Sequence, residues 1–257
     1  MRHKNFFQSA LFLFVILAAW ELTIRGLGIS PYVLPAPSAV AVRFVDLIST
    51  GLIWPHLSAT LTSVLVGLFS GVVAGLICGS VIALIPAVER LVYPYIVAIQ
   101  TVPKVAVAPL FVLWFGYGLA SKIVITALLC FFPILVNVIA GFKSVDKDQF
   151  DMMTAFGANR LQILRRLRVP AALVMIFAGL EIATVLAVIG AVVGEFVGAQ
   201  AGLGYLITSM NFNMDVAGMF AVLLFLAIIG LSLHTIVRLA RKRFIFWNRS
   251  ETAAIAS

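Results

Sequence analysis

Three charge-free apolar runs, Leu61 to Ile85, Ile123 to Phe142 and Val216 to Val237, each reach the length needed to cross a bilayer. A helix rising about 1.5 Å per residue needs about 20 such residues to span about 30 Å of hydrocarbon. Within lipid every backbone N–H and C=O must be satisfied inside the protein, so runs of this kind fold as helices. A fourth run, Ala171 to Gly194, carries only Glu181; a fifth, Leu91 to Ala120, carries only Lys104 but is punctuated by Pro94, Pro103 and Pro109. The first, Phe6 to Ile24, holds Trp20 and Glu21 near its end. Composition agrees: 63% of residues are hydrophobic and 11% charged, against about 25% charged in soluble domains. The expected fold is an all-α polytopic membrane protein of one domain, residues 1–257, with six transmembrane helices at about 6–24, 61–85, 91–120, 123–142, 171–194 and 216–237.

Lys and Arg accumulate in short cytoplasmic loops. With the N-terminus inside, the inner segments hold Arg2, Lys4, Arg90, Lys143, Lys147, Arg160, Arg165, Arg166, Arg168, Arg238, Arg241, Lys242, Arg243 and Arg249, and the outer ones only Arg25, Arg43 and Lys122. Both termini and the loop 143–170 are therefore expected in the cytoplasm. The net charge of +8 then reflects topology and contact with anionic lipid rather than nucleic-acid binding. A cleaved signal peptide is the rival reading of the first run, but Leu17-Ala18-Ala19 followed by Trp20-Glu21 is a poor small-x-small cleavage site. Residues 250–257 read as a disordered tail.

Between the first two spans, Pro31, Pro35 and Pro37 stop one helix and Ser38 is placed as the cap of a short surface helix. Its Val40, Phe44, Leu47 and Ile48 recur opposite Arg43 and Asp46, and Gly51 ends it. His56 reads as an interfacial bystander rather than a ligand. In the second span Gly67, Gly71, Gly75 and Gly79 form one stripe, a seam for close helix packing within the protein or between copies. Cys78 and Cys130 lie inside spans and read as small core residues.

The third span is unusual, because Gln100-Thr101-Val102-Pro103-Lys104 sets a proline and a cation deep in the apolar run. Pro103 frees a carbonyl, a break tolerated where protein or water satisfies it. Lys104 at that depth should face a cavity or a partner. Glu181 is the acid nearest in depth, and the two are expected to approach each other beside a solute path. Lys104 alone would favour an anion; a Glu181 partner would cancel that preference.

The loop 143–170 has the most specific spacing. Asp146 starts a short helix carrying Phe150, Met153 and Phe156, apolar residues expected on one face. Gly157 supplies a turn. Asn159 caps a second helix with Leu161, Leu164 and Leu167 on one side and Arg160, Arg165, Arg166 and Arg168 on others, until Pro170 opens the next span.

Here the chain resembles the integral-membrane permeases of binding-protein-dependent ABC importers. Their cytoplasmic signature is Glu-Ala-Ala, three residues, Gly, nine residues, then Ile-x-Leu-Pro. Asp151-Met152-Met153, Gly157 and Leu167-Arg168-Val169-Pro170 keep every interval, with a shorter acid and two methionines replacing Glu-Ala-Ala. Leu34-Pro35-Ala36-Pro37-Ser38-Ala39-Val40, Pro109-Leu110-Phe111-Val112-Leu113-Trp114-Phe115-Gly116 and Gly202-Leu203-Gly204-Tyr205-Leu206-Ile207 are similar to the nitrate, sulfonate and taurine branch, which includes relatives handling pyrimidine-type vitamin precursors. The likeness covers about residues 10–245.

The resemblance implies a MetI-like type I importer core of five helices behind one N-terminal helix. It makes the loop an ATPase-coupling element (Asp151, Met152, Met153, Ala155, Phe156, Gly157, Ala158, Pro170). Implied partners are two ABC ATPase subunits, an extracytoplasmic substrate-binding protein and a second copy of the permease. The translocation path is expected at Gln100, Pro103, Lys104 and Glu181, and an outer gate or receptor contact at Glu195, Gly202 and Gly204. No Gly-x-x-x-x-Gly-Lys-Ser/Thr phosphate loop occurs, so ATP and magnesium are expected on the ATPase partner and no cofactor on this chain. His3, His56 and His234 lie far apart, and nothing in the chain resembles a metal centre or a nucleophilic triad. The rival function is an ATP-independent channel or facilitator; a membrane-embedded enzyme lacks any reactive cluster. The solute is expected to be a nitrate-, sulfonate- or taurine-like anion or a pyrimidine-type precursor.

Overall fold

The computed structural model describes residues 2–247, so the tail expected at 250–257 lies outside them. All regular elements among the described residues are helical: α1 (Arg2–Gly26), α2 (Pro37–Ser49), α3 (Ile53–Leu84), α4 (Pro86–Gln100), α5 (Ala108–Phe115) and α6 (Leu119–Lys143). These are followed by α7 (Lys147–Ala155), α8 (Arg160–Ile163), α9 (Val169–Gly198), α10 (Leu203–Phe212) and α11 (Val216–Phe244). Five passages are long and apolar enough to cross a membrane, Phe7–Gly26, Ile53–Leu84, Leu119–Lys143, Arg160–Gly198 and Val216–Phe244. A sixth exists if Pro86–Thr101 and Lys104–Phe115, bent by 83° at their break, count as one. The chain is an all-α, multi-pass membrane protein. It groups into two units, Met1–Thr60 with Gln200–Ile228, and Leu61–Ala199 with Ile229–Ser257.

In the first unit, α2 begins one residue before its expected cap. Pro37 takes the first helical position, where a missing N–H costs nothing, and Ser38 falls inside the helix. The Ser38 N–H and hydroxyl both donate to the Glu21 carboxylate of α1, at 3.0 and 2.7 Å. Glu21 also accepts from Arg25 Nε at 2.6 Å. An acid from another helix thus supplies the cap that Ser38 was expected to give. Val40 and Leu47 are buried, and Phe44 stacks on Phe225 of α11 with ring centroids 4.2 Å apart. Arg43 bridges its own-helix neighbour Asp46 and, at 2.7 Å, Asp215. The hydrogen bond from Arg43 to Asp215 holds the guanidinium above its ordinary pKa, so Arg43 stays charged. Gly51, at φ +78°, ends the segment.

The second unit is built around α6, whose Ile125, Leu129, Cys130, Ile134, Leu135, Val138 and Ile139 are buried. Hydrophobic association between helices is weak in lipid, and close backbone approach has to supply the packing. The α3 stripe does this against α6. A Cβ at Gly71 would lie 2.5 Å from the Ala127 carbonyl oxygen, at Gly75 2.8 Å from Ile134, and at Gly79 2.8 Å from Val138; Gly67 faces Thr126. Helix α9 approaches α6 by the same means: a Cβ at Gly190 would lie 2.8 Å from the Thr126 Cα, and one at Gly194 3.1 Å from the Lys122 Cα. Cys130 is fully buried and its thiol donates to the Ala183 carbonyl at 3.4 Å. Ala183, Ala187 and Ala191, all fully buried, complete this core.

Candidate functional site

The loop 143–160 folds as an elbow. Asp146 accepts the Asp148 N–H at 3.0 Å and starts α7. Gly157, at φ +75°, reverses the chain, and the N–H groups of Gly157 and Ala158 donate to the Thr154 and Met153 carbonyls at 2.9 and 3.0 Å. Asn159 and Gln162 then cap each other's backbone N–H groups at 2.9 and 2.8 Å, which fixes the start of α8.

The second arm departs from expectation at Pro170, which does not open a separate span. Residues Arg160–Gly198 run as one helical passage, with Leu164–Arg168 in π-helical geometry just before the proline. Proline lacks an N–H and crowds the carbonyl four residues back; a wider π turn lets the chain pass it without stopping. Elbow arm and span are therefore a single rod.

The apolar face expected of Phe150, Met153 and Phe156 is also divided. Phe150 and Met153 are half-buried, Phe150 lying beneath the Arg168 guanidinium at 5.4 Å. Phe156 follows the last turn of α7 and stands 83% exposed. Met152 and Leu161 are each 55% exposed beside it in the chain. Asp151, Ala155 and Gly157 are exposed as well, Ala158 and Pro170 half-buried.

The second candidate lies at the break between α4 and α5. A cavity of about 510 Å³ is lined there by Gln100, Thr101, Pro103 and Lys104 together with Phe132, Asn137 and neighbouring apolar side chains. Lys104 does not meet Glu181. Its Nζ donates to the Gln100 carbonyl at 3.1 Å and sits 4.8 Å from the Phe132 ring centroid. Glu181 accepts instead from Arg241 Nη1 at 3.2 Å. The reason is reach: α11 continues as helix to Phe244, beyond the expected span end at 237, and carries Arg241 to the acid. Lys104 meanwhile opens a 3-10 turn (Lys104–Val107) and folds back over the end of α4, where a cation complements unpaired carbonyls.

The expected outer residues differ in their surroundings. Glu195 is 2% exposed and is buried together with Lys122, itself 5% exposed, beside the close α6–α9 approach at Gly194, and the two attract electrostatically. Lys122 is accordingly part of α6 and not of an open loop. Gly202, at φ +133°, begins α10. Its N–H donates to His56 Nδ1 at 3.2 Å, the next N–H, of Leu203, donates to Thr60 Oγ1 at 2.7 Å, and the Gly204 carbonyl accepts from the Thr208 hydroxyl at 3.2 Å. His56 also stacks on Tyr205, 5.7 Å between centroids. It is a cap for α10 rather than a bystander, a role that no local sequence pattern marks.

Residues 71–246 match the family model described as a binding-protein-dependent transport system inner membrane component. The chain is 39% identical over 244 residues to a formylaminopyrimidine transport permease protein of Halalkalibacterium halodurans, covering 95% of this chain and 97% of that one. It is 41% identical to a riboflavin transport system permease protein of Chloroflexus aurantiacus (93% and 89% covered) and 31% identical to a taurine transport system permease protein of Escherichia coli (91% and 87%). With the helical bundle, the elbow at Gly157 and these likenesses together, the chain belongs to the permease subunits of binding-protein-dependent ABC importers, in the nitrate, sulfonate and taurine branch.

Proposed function

We propose that this permease works as a symmetric pair in a bacterial inner membrane, with both termini and the elbow in the cytoplasm. Two ATPase subunits engage the elbows and a substrate-binding protein docks on the opposite side. ATP and magnesium reside on the ATPases, and this chain performs no hydrolysis of its own. The observation that carries this reading is the elbow's exposed apolar tip. Met152, Phe156 and Leu161 are exposed where the chain enters a rod that runs on through a candidate span. Exposed large apolar side chains on a charged loop are a cost unless a partner covers them. Approach of the two ATPases then moves both rods together and opens the bundle outward; hydrolysis resets it.

In this scheme solute passes beside Gln100, Pro103 and Lys104, with Glu181 fixed to Arg241 as a brace. Gly202, Gly204 and Glu195 keep the outer-gate roles expected of them. The named relatives transport formylaminopyrimidine, riboflavin and taurine, and a compact anion or a pyrimidine-type compound suits the same scaffold. The test is ATP turnover in proteoliposomes containing the permease, its ATPase and its substrate-binding protein. Stimulation by the loaded binding protein over the empty one is expected. Solute flux that proceeds equally without ATP would instead identify a facilitator.

A further inference from the structure

We propose that the cavity at the α4–α5 break is a charge filter within the membrane chain itself. In it Lys104 favours solutes presenting an oxygen acceptor of full or partial negative charge and disfavours those of net positive charge. The inference rests on the reading that solute passes this break.

The filter follows from what Lys104 lacks. Its ammonium is held by a backbone carbonyl, that of Gln100 at 3.1 Å, and by the face of Phe132 at 4.8 Å. Both partners are neutral, so they hold the ammonium less strongly than an anionic oxygen, which adds a full opposite charge. Among the described residues no Asp or Glu lines the cavity, and the one acid in the central part of α9, Glu181, is taken by Arg241. The cancellation that a Lys104–Glu181 pair would bring is therefore missing.

The remaining polar lining is neutral. The Thr101 hydroxyl already donates to the Ala98 carbonyl at 2.7 Å, and the Asn137 amide to that of Pro133 at 2.8 Å, which leaves Lys104 as the lining group with a net charge. Apolar walls such as Leu129 and Val136 reduce screening and lengthen the reach of that charge. A volume of about 510 Å³ accepts a solute of single-ring size or a little more.

The test needs no knowledge of the natural solute. In the full-length chain in liposomes with Cys78 and Cys130 replaced by Ala, Thr101→Cys or Val136→Cys is introduced. Reaction rates are measured with the anionic sulfonatoethyl and the cationic trimethylammonioethyl methanethiosulfonates, each normalised to its rate with a free thiol. The anionic reagent is expected to react faster by on the order of tenfold. The ratio falls to about one in Lys104→Met, persists in Lys104→Arg, and declines with added salt in the Lys104 background. Equal normalised rates, or a preference unmoved by Lys104→Met and by salt, overturn the filter while leaving the path in place. Failure of both cysteines to react with either reagent overturns the path and the filter together. The salt series in the Lys104 background decides the matter even where Lys104→Met does not fold.

Discussion

Two turns of this molecule begin in the same way and end differently. Gly157 and Gly202 both hold a positive φ, at +75° and +133°, and each leads into a helix, the long passage Arg160–Gly198 and the short α10 respectively. At Gly202 the structure is closed: the first N–H groups of α10 are taken by His56 and Thr60, and Leu203, Leu206 and Met210 are buried. At Gly157 the backbone is equally well satisfied, by Met153, Thr154 and the Asn159–Gln162 box, yet Phe156 and Met152 are left in the open. One turn is completed within the chain. The other has an ordered backbone and an uncovered apolar surface, the combination expected of a docking element that is already shaped before its partner arrives.

The sharpest way to break this contrast is Phe156→Asp. An exposed aromatic anchor in a partner's pocket is worth about 2–4 kcal/mol of binding, whereas a surface change away from the core moves stability by about 0.5 kcal/mol or less. Co-purification of the ATPase and ATP-driven uptake are therefore expected to be lost, with the permease's unfolding in detergent unchanged. A shift in unfolding as large as the loss of association would show that Phe156 belongs to the fold.

A smaller effect is expected from Gly71→Val, which drives a branched side chain into the Ala127 carbonyl and Cys130. Overpacking of this kind costs about 1–3 kcal/mol or more, read as a lower midpoint of unfolding. Gly26→Val, where nothing lies within 4 Å, is the matched control and is expected to stay within helix-propensity effects.

At the closed turn itself, Thr60→Val removes the acceptor for the Leu203 N–H at a fully buried position. Leaving such a donor unpaired costs about 1–3 kcal/mol, and proteolysis of the Gly202 turn should rise with it. The elbow, by contrast, should show no change in protease sensitivity.

The mildest outcome concerns Glu181 and Arg241, which are 23% and 21% exposed. A double-mutant cycle of Glu181→Gln and Arg241→Gln is expected to give a coupling of about 0.5–1 kcal/mol. A coupling between Glu181→Gln and Lys104→Met of the same size would restore the pairing that the structure does not form.

The sequence discloses what is local and repetitive. Charge-free runs announce α3, α6 and α11, a run broken only by Glu181 announces α9, the interval from Asp151 through Gly157 to Pro170 marks the elbow, and the Gly67–Gly79 stripe marks a packing face. What it hides is set by contacts far apart in the chain. Glu181 and Arg241 are separated by 60 positions and Gly202 and His56 by 146, and no pattern around either residue names the other. The fate of Pro170 was equally hidden, because a proline before an apolar run reads as a boundary, while the π turn that carries the helix through it depends on backbone geometry alone. The reach of Glu21 to Ser38, 17 positions on, likewise depends on how two helices meet.

The claim on which the rest depends is that the Gly157 elbow receives work from a separate ATPase on the cytoplasmic side. It is tested most directly by placing one cysteine at Ala158 in a cysteine-free chain. A thiol crosslinker is then applied to inside-out and right-side-out membrane vesicles containing the assembled transporter. The account predicts a crosslink to the ATPase subunit that forms only when the cytoplasmic face is accessible, and whose yield changes between the ATP-bound and nucleotide-free states. Labelling of that cysteine from the exterior, or a cytoplasmic cysteine that never captures the ATPase, would contradict it.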